Sequence, residues 1–536
     1  MNQTQAALRA LPSDLVTKLC RSKVTRLSLK QIHVLEPKNH NALVIPALFL
    51  HQELPIRLSH ALNMLNSNLL PFNMSEMPTF QHIARSYLED ISLITQMPKP
   101  STPQLEEEFT ALLRNLEQRH KVKMLTISQG FKEFMNSVAA AQGAGTDAAE
   151  IGHCGLHFNR DTNRWTVDPQ TDRDIQTFFN RFYTINLGTR LLIGEQLALH
   201  DRGLNLVQRV HPLSISKRAI QDAQRVCSAH YGQPAPSVLI QTPNPDISAT
   251  YVEEFLHRNI FELLKNAMRA TCETHLQEGA PVSLSMTAPT GPATGSKLPP
   301  ITLTVVDGEE DVTIKIADQG GGLALSELDK VWSYVHFANS TAAASVSRSQ
   351  KEGGVSAGTV AFMGGLGSEV KDYLDLPLSG SGHGLPLARL IAKYFGGDLS
   401  LYSMEGHGTD SYLSLYRDVD HLENFPEVDE EMLAEVDVFV NELLDECVGA
   451  EESSVVSGLR LKAPLPTPVT SLPSSMVLGL RQSQGQANAY SSTSTGSSTS
   501  STSSTSSSNN SNIKSANMPL DIGSITPRSG TTSPAL

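Results

Sequence analysis

Across the first 230 or so positions, apolar residues return every third or fourth place, the period of helices buried along one side. Pro46 to Leu70 carries Leu50, Leu54, Ile56, Leu58, Leu62 and Leu65 among polar residues, with Pro55 as punctuation. Phe109 to Phe134 continues with Leu112, Leu113, Leu116, Val122, Met124, Leu125, Ile127, Phe131 and Phe134. Asp174 to His200 repeats the period through Ile175, Phe178, Phe182, Ile185, Leu192 and Leu197. Long helices of this type, joined by loops such as Gly143 to Gly155, predict an antiparallel bundle with few strands.

The pattern changes after Pro234, Pro236, Pro243 and Pro245. A helix is predicted around Glu262, followed by a Gly/Pro loop from Ala288 to Pro300. Ile301 to Val306 and Val312 to Ile316 then alternate as half-buried strands do, with Asp307-Gly308 opening their turn. Leu385 to Phe395 reads as a helix stopped by Gly396-Gly397. Two more strands, Leu399 to Met404 and Ser411 to Tyr416, flank Glu405-Gly406-His407-Gly408. Helices with a mixed sheet predict a second, α/β domain ending near residue 420.

Glu427 to Val448 fits an acidic amphipathic helix, with Leu433, Val436, Val440, Leu443 and Leu444 as its apolar side. After about Ser453 the composition collapses, and Ser491 to Ser508 is almost entirely Ser and Thr. Such a tract cannot bury enough apolar surface to offset its ordering entropy, which predicts a disordered tail.

Composition narrows the function classes. A hydrophobic fraction of 40% and a charged fraction of 18% over 536 residues fit a soluble globular chain of several domains. A net charge of −13 argues against general nucleic-acid binding, which needs clustered Lys and Arg. Cys20, Cys154, Cys227, Cys272 and Cys447 are isolated and lack metal-ligand spacing, so they read as free thiols. The longest apolar run, Ala42 to Leu50, is too short to span a bilayer, so no transmembrane segment is predicted. Before Asp14 there is one Arg and no acid, and Lys18, Arg21, Lys23, Arg26 and Lys30 follow. That start fits either a short mitochondrial presequence or a first helix.

The chemistry concentrates on the helix around Glu262. Glu262, Lys265, Asn266 and Arg269 stand at offsets 0, 3, 4 and 7, on one helical face, with Ile260, Leu264, Ala267 and Thr271 opposite. A carboxylate can take a proton, an amide oxygen can ligate a hard metal, and an ammonium can meet a phosphate. The strand Val312 to Ala317 runs into Asp318-Gln319-Gly320-Gly321-Gly322, where a carboxylate beside glycines can accept from an adenine amino group. Ser379 to Pro386, reading SGSGHGLP, opens the next helix with free backbone amides at its N-terminus. Gly406-His407-Gly408-Thr409-Asp410 precedes the last strand. There is no Walker A lysine motif and no eukaryotic protein-kinase motif set, and the glycine run at Gly380 is not a Rossmann fingerprint.

This order of motifs resembles the GHKL ATP-binding fold of gyrase, the heat-shock chaperone of that class, histidine kinases and MutL. Within it the chain is most similar to the mitochondrial 2-oxoacid dehydrogenase kinases, over roughly Val24 to Arg417. The strings are ELPIRL (Glu53 to Leu58), ELLKNAMRAT (Glu262 to Thr271), DxGGG at Asp318 and YSMEGHGTD (Tyr402 to Asp410), supported by GLPLARL and RFYTINLGTRLL.

The resemblance implies an α+β chain: an all-α four-helix bundle, an α/β-sandwich GHKL (Bergerat) domain and a disordered tail. The expected divisions are 1–24 for the targeting segment or first helix, 25–232 for the bundle and 233–420 for the kinase domain. An acidic segment at 421–452 and the tail at 453–536 follow. It also implies ATP and Mg²⁺ as cofactors. Glu262 would be the general base, with Lys265 supporting the phosphates and Asn266 holding the metal. Asp318 and Thr409 would read adenine. Gly320, Gly322, Gly380, Gly382, His383, Gly384, Leu385 and Arg269 would complete the nucleotide site, and about Lys330 to Gly380 would be a lid. Arg258 stands where the family often has histidine, one turn before the base and on its face. An arginine there would favour the ionised carboxylate and weaken it as a base, while still able to orient it.

Arg119, His120 and Arg190 match the family's regulatory oxoacid pocket, with Asn186 where a further arginine is expected. The implied reaction is phosphorylation of a serine on the E1α subunit of pyruvate dehydrogenase, or alternatively of the branched-chain enzyme, in the mitochondrial matrix. The lipoyl domain of E2 and a second copy of the chain are the other implied partners. An Asp-Trp pair found after the last strand in many pyruvate-type members is absent after Arg417. A histidine autokinase using His120 and a non-catalytic ATP-binding adaptor remain as competing readings.

Overall fold

The computed structural model describes residues 8, 10–33, 43–66, 70, 74–143, 155–161, 164–276, 298–335, 383–427, 433 and 436–449. These belong to one compact unit reaching to Gly458, and a second unit, Leu459–Leu536, lies outside the described residues. The predicted tail, Gly380, Gly382 and most of the predicted lid therefore fall outside them as well.

The helical half begins with α1 (Ser13–Cys20) and α2 (Leu29–His33), followed by α3 (Val44–Met64), α4 (Pro78–Gln96) and α5 (Pro103–Gly143). A short antiparallel hairpin, β1 (Leu156–Asn159) and β2 (Arg164–Val167), leads into α6 (Pro169–Arg202). α3 packs on α4 and α6, and α5 packs on the same two, which closes a four-helix bundle. Its centre is aromatic: Phe80, Tyr87, Phe109, Phe178, Phe179 and Phe182 are all buried. α3 runs straight through Pro55, where sequence placed a punctuation. The lost hydrogen bond, costing about 3 kcal/mol, is offset by burial of Leu50, Leu54, Leu58 and Leu62 around it. The β1–β2 hairpin was not expected, because four-residue strands are too short to establish a period.

The second half comprises β3 (Val207–Val210), α7 (Pro212–Tyr231), β4 (Val238–Gln241), β5 (Ala249–Val252) and α8 (Glu253–His275). It continues with β6 (Ile301–Asp307), β7 (Asp311–Ala317), α9 (Leu325–Leu328), α10 (Gly384–Lys393), β8 (Asp398–Met404) and β9 (Gly408–Tyr416). The main sheet has the order β4-β6-β7-β9-β8, parallel between β4 and β6 and antiparallel elsewhere. Leu303 faces Ile316 and Ile314 faces Leu413 across the ladders, so alternation buries one continuous apolar side. α8 covers β7 and β9 on that side, and α10 covers β8 and β9. α7 packs along α8, so the proline cluster at 234–245 marks a change of pattern but no break in packing. The acidic helix α11 (Val436–Gly449) returns to the helical half, where it lies on α1 with Val436 and Val440 buried and Arg21 bonded to Asp437 at 3.2 Å.

Candidate nucleotide-binding site

α8 starts immediately after β5 and carries acids, Glu253 and Glu254, in its first turn, where they favour the helix dipole. It is buried nearly all round: Ile260, Leu264 and Met268 face the core, yet Glu262 and Lys265 are only 4% and 5% exposed. Lys265 Nζ donates to Glu262 Oε1 at 2.8 Å, so the two charges enter the interior as a pair. On the far side of the same helix, His257 Nε2 lies 2.9 Å from Asp222 Oδ2 of α7 and stacks on Phe261. That contact commits His257 to α7 and away from the Glu262 face.

A cavity of about 450 Å³ opens along α8. Glu262, Lys265, Asn266 and Arg269 line it together with Asp318, Gly320, Gly322, Gly384, Leu385 and Thr409. Thr274 and His275 of α8 bond to Gly320 and Gln319 and so tie one wall of the cavity together. Asp318 Oδ1 accepts from Gly320 N at 2.8 Å and Thr409 N at 3.3 Å, so the other oxygen, Oδ2, is left for a ligand. Burial pushes the Asp318 carboxyl above the usual range, and those two backbone bonds oppose the shift. Thr274 Oγ1 donates to Gly320 O, and Gly406 N donates to Gly321 O. Gly322 has a φ of +68°, and a Cβ there would stand 2.0 Å from Met404 O, so only glycine fits. A Cβ on Gly320 would meet Ala270 Cβ at 2.5 Å, which shows how closely the turn approaches α8.

Not every expected residue meets at this cavity. The His383 ring is buried and hydrogen-bonded to Tyr183 in the helical half, and Arg258 is not among the lining residues. The charge of Arg258 is felt by Arg190, whose guanidinium is lowered to about 10 by burial and then by that charge. Residues that sequence reasoning passed over also line the cavity: Leu263, Ala270, Glu273, Leu323, Leu401 and Ser411. Ser411 follows directly on the Gly-Thr-Asp motif and was legible as a neighbour; Leu401 joins only through strand pairing of β8 with β9.

The cationic cluster in the bundle is also assembled. Asp90 of α4 is fully buried beneath α5, where it lies 2.9 Å from His120 Nε2 and bonds Lys123 and Arg119. Burial, then the charges of Lys123, Arg190 and Arg119, hold His120 well below its ordinary value, so the ring is neutral near pH 7. His120 is 1% exposed, which closes it to a phosphoryl donor.

A pyruvate dehydrogenase (acetyl-transferring) kinase of Arabidopsis thaliana is 31% identical over 399 residues, covering 73% of this chain and 89% of the relative. The chain belongs to the mitochondrial 2-oxoacid dehydrogenase kinase family. Isozyme 4 of mouse is 30% identical over 68% of the chain and 75% of its own length, and isozyme 1 of rat is 28% identical over 68% and 71%. A family model described as mitochondrial branched-chain alpha-ketoacid dehydrogenase kinase matches residues 26–221. A second, described as the histidine kinase-, DNA gyrase B- and HSP90-like ATPase, matches residues 251–418. The 2-oxoacid dehydrogenase kinases are protein kinases, and the GHKL domain is the ATP-binding half of this one.

Proposed function

We propose that this protein is a serine kinase of the pyruvate dehydrogenase complex, placing the ATP γ-phosphoryl group on E1α and so inactivating the complex. It works in the mitochondrial matrix, as a homodimer docked on the lipoyl domain of E2. The observation that carries the catalytic reading is the convergence of Glu262, Lys265, Asn266, Asp318 and Thr409 on one cavity. The choice of pyruvate dehydrogenase is supported by the names of the relatives given above, in plants and mammals.

The donor set suits MgATP. A carboxylate with one oxygen uncommitted matches an adenine amino group, and Mg²⁺ commonly takes one or two protein oxygens beside phosphate and water. MgATP supplies the transferable phosphoryl group and the ion that balances its charge. Glu262 takes the proton of the acceptor hydroxyl, and Lys265 directs the carboxylate and stands beside the phosphates. Asn266 offers its amide oxygen to the metal. Thr409 supports Asp318, whose Oδ1 accepts the Thr409 amide. Gly320, Gly322 and Gly384 line the cavity and allow close backbone approach, with Leu385 in the first turn of α10. Arg269, bonded to Glu273 at 2.7 Å, lies at the cavity edge for a phosphate oxygen, and Arg258 orients the Glu262 face from one turn away.

A branched-chain kinase is the second reading, favoured by the family model over residues 26–221. Arg119, His120 and Arg190 are the proposed regulatory oxoacid site. An entering carboxylate there competes with Asp90, which already holds Arg119, the His120 imidazole and the neighbouring Lys123. Purified protein with MgATP and each E1 preparation tests these assignments. Phosphoserine on pyruvate dehydrogenase E1α, abolished by Glu262→Gln, is the expected result. Phosphoserine on the branched-chain E1 alone selects the second reading, and ATP binding with no transfer to either overturns the kinase assignment.

A further inference from the structure

His383 stands one residue before Gly384 and α10, but its side chain belongs to the other half of the molecule. Its Nδ1 lies 2.9 Å from the Tyr183 hydroxyl of α6, and both side chains are buried. The ring is held edge-on by Phe179 at 5.5 Å, Tyr183 at 5.9 Å and Tyr334 at 5.0 Å. Tyr334 is itself tied to α6, its hydroxyl donating to Asn180 Oδ1 at 2.9 Å. The His383 carbonyl accepts from Leu387 N at 3.0 Å, so the residue also forms the first turn of α10.

The next residue is Gly384, and it reaches the reacting side of the cavity. A Cβ on Gly384 would stand 2.7 Å from Glu262 Oε2, so backbone and carboxylate are in near contact. Any shift of this turn along α6 changes the space above Glu262. Burial, and then the charge of Lys132, lower His383 to about 3, so the imidazole is neutral and the bond to Tyr183 joins two neutral groups. A merely aromatic packing role would need no hydroxyl and no ring nitrogen at this point.

We propose that Tyr183 and His383 form a positioning pair, through which the helical half sets the first turn of α10, and so Gly384, against the Glu262 carboxylate. The inference rests on the reading of Glu262 as the base. It makes α6 part of the catalytic geometry although no α6 residue lines the cavity.

The test compares Tyr183→Phe, His383→Phe and His383→Asn with Glu262→Gln in the full-length chain, with rates normalised to ATP-binding sites by titration. Phe at 183 keeps the ring contacts and deletes the bond; Asn at 383 keeps a polar atom near the Nδ1 position. Tyr183→Phe and His383→Phe are expected to lower kcat about tenfold while the KM for ATP changes less than about twofold, with His383→Asn recovering most of the rate. Unchanged kcat in both Phe variants overturns the proposal, as does a loss that only follows the number of folded ATP sites. If Glu262→Gln remains fully active, the base assignment falls and this pair falls with it. If Glu262→Gln is inactive and Tyr183→Phe is normal, only the positioning role is overturned.

Discussion

Arg57 and Glu423, 366 positions apart, meet as a buried ion pair between the bundle and the strand end of the sheet half. Arg57 Nη1 donates to Glu423 Oε2 at 3.1 Å, its Nε donates to Glu53 Oε1 at 3.1 Å, and its Nη2 donates to Thr25 O at 2.9 Å. Glu423 Oε1 also accepts from Leu27 N at 3.1 Å, and Oε2 receives the Tyr394 hydroxyl. Every polar edge is served, which is the condition under which a buried pair is tolerated. Glu423→Ala leaves Glu53 as the only carboxylate on the guanidinium, strips Nη1 of its partner, and is expected to cost about 3–5 kcal/mol. Denaturant unfolding of the variant measures it. A loss below about 1 kcal/mol would show that the pair is no more than a surface contact in energy.

The turn that carries Asp318 at the cavity wall depends on Gly322. Its left-handed φ costs an L-residue roughly 1–2 kcal/mol, and the clash with Met404 O adds to that. Gly322→Ala is expected to weaken ATP binding by more than about tenfold, while circular dichroism keeps the helical signal of the bundle. Calorimetric titration with ATP reads the effect; equal affinity would remove this turn from the site.

Glu195 supplies a pH-dependent contribution to stability. It is 4% exposed, and Oε2 accepts from Leu206 N at 2.9 Å and Val207 N at 3.4 Å. Burial raises its carboxyl from 4.5 to about 7 against those bonds, with Glu254 adding to the rise. Below 4.5 both folded and unfolded chains hold the proton, and the folded state has its full stability. As pH rises to 7 the unfolded chain ionises first, so stability falls across that window. Glu195→Gln should therefore stabilise the protein at pH 8, by ~3 kcal/mol at most, and make no difference near pH 4. Thermal midpoints of both proteins across that range decide it; a constant difference at all pH values contradicts the assignment.

Asp90 sets the charge balance of the cationic cluster. Replacing it by Asn keeps the shape and removes the anion that Arg119 and Lys123 now share. Asp90→Asn is expected to strengthen inhibition by an added 2-oxoacid at least about tenfold, about 1.4 kcal/mol of lost competition. Kinase assays with pyruvate titrated against both proteins measure the shift. Identical inhibition curves would take the oxoacid away from this cluster.

Local periods determined a large part of this protein. Alternation placed β6, β7, β8 and β9 within about three residues of their observed ends, because each strand buries one face. The spacing of Glu262, Lys265, Asn266 and Arg269 put four polar groups on one helical face, and the glycine boxes placed Asp318, Gly322 and Gly384 beside them. What that spacing could not express is that the polar face is itself buried, with Glu262 and Lys265 inside as a pair. Tertiary packing alone decided that His383 joins α6, that His257 turns to Asp222, and that Asp90 lies under His120. The same holds for Arg57 and Glu423. Each of these contacts links residues from 30 to 366 positions apart, and a helical or strand period carries no memory over such distances. A sequence lists the groups that need partners, but only the folded chain shows which distant group meets each one.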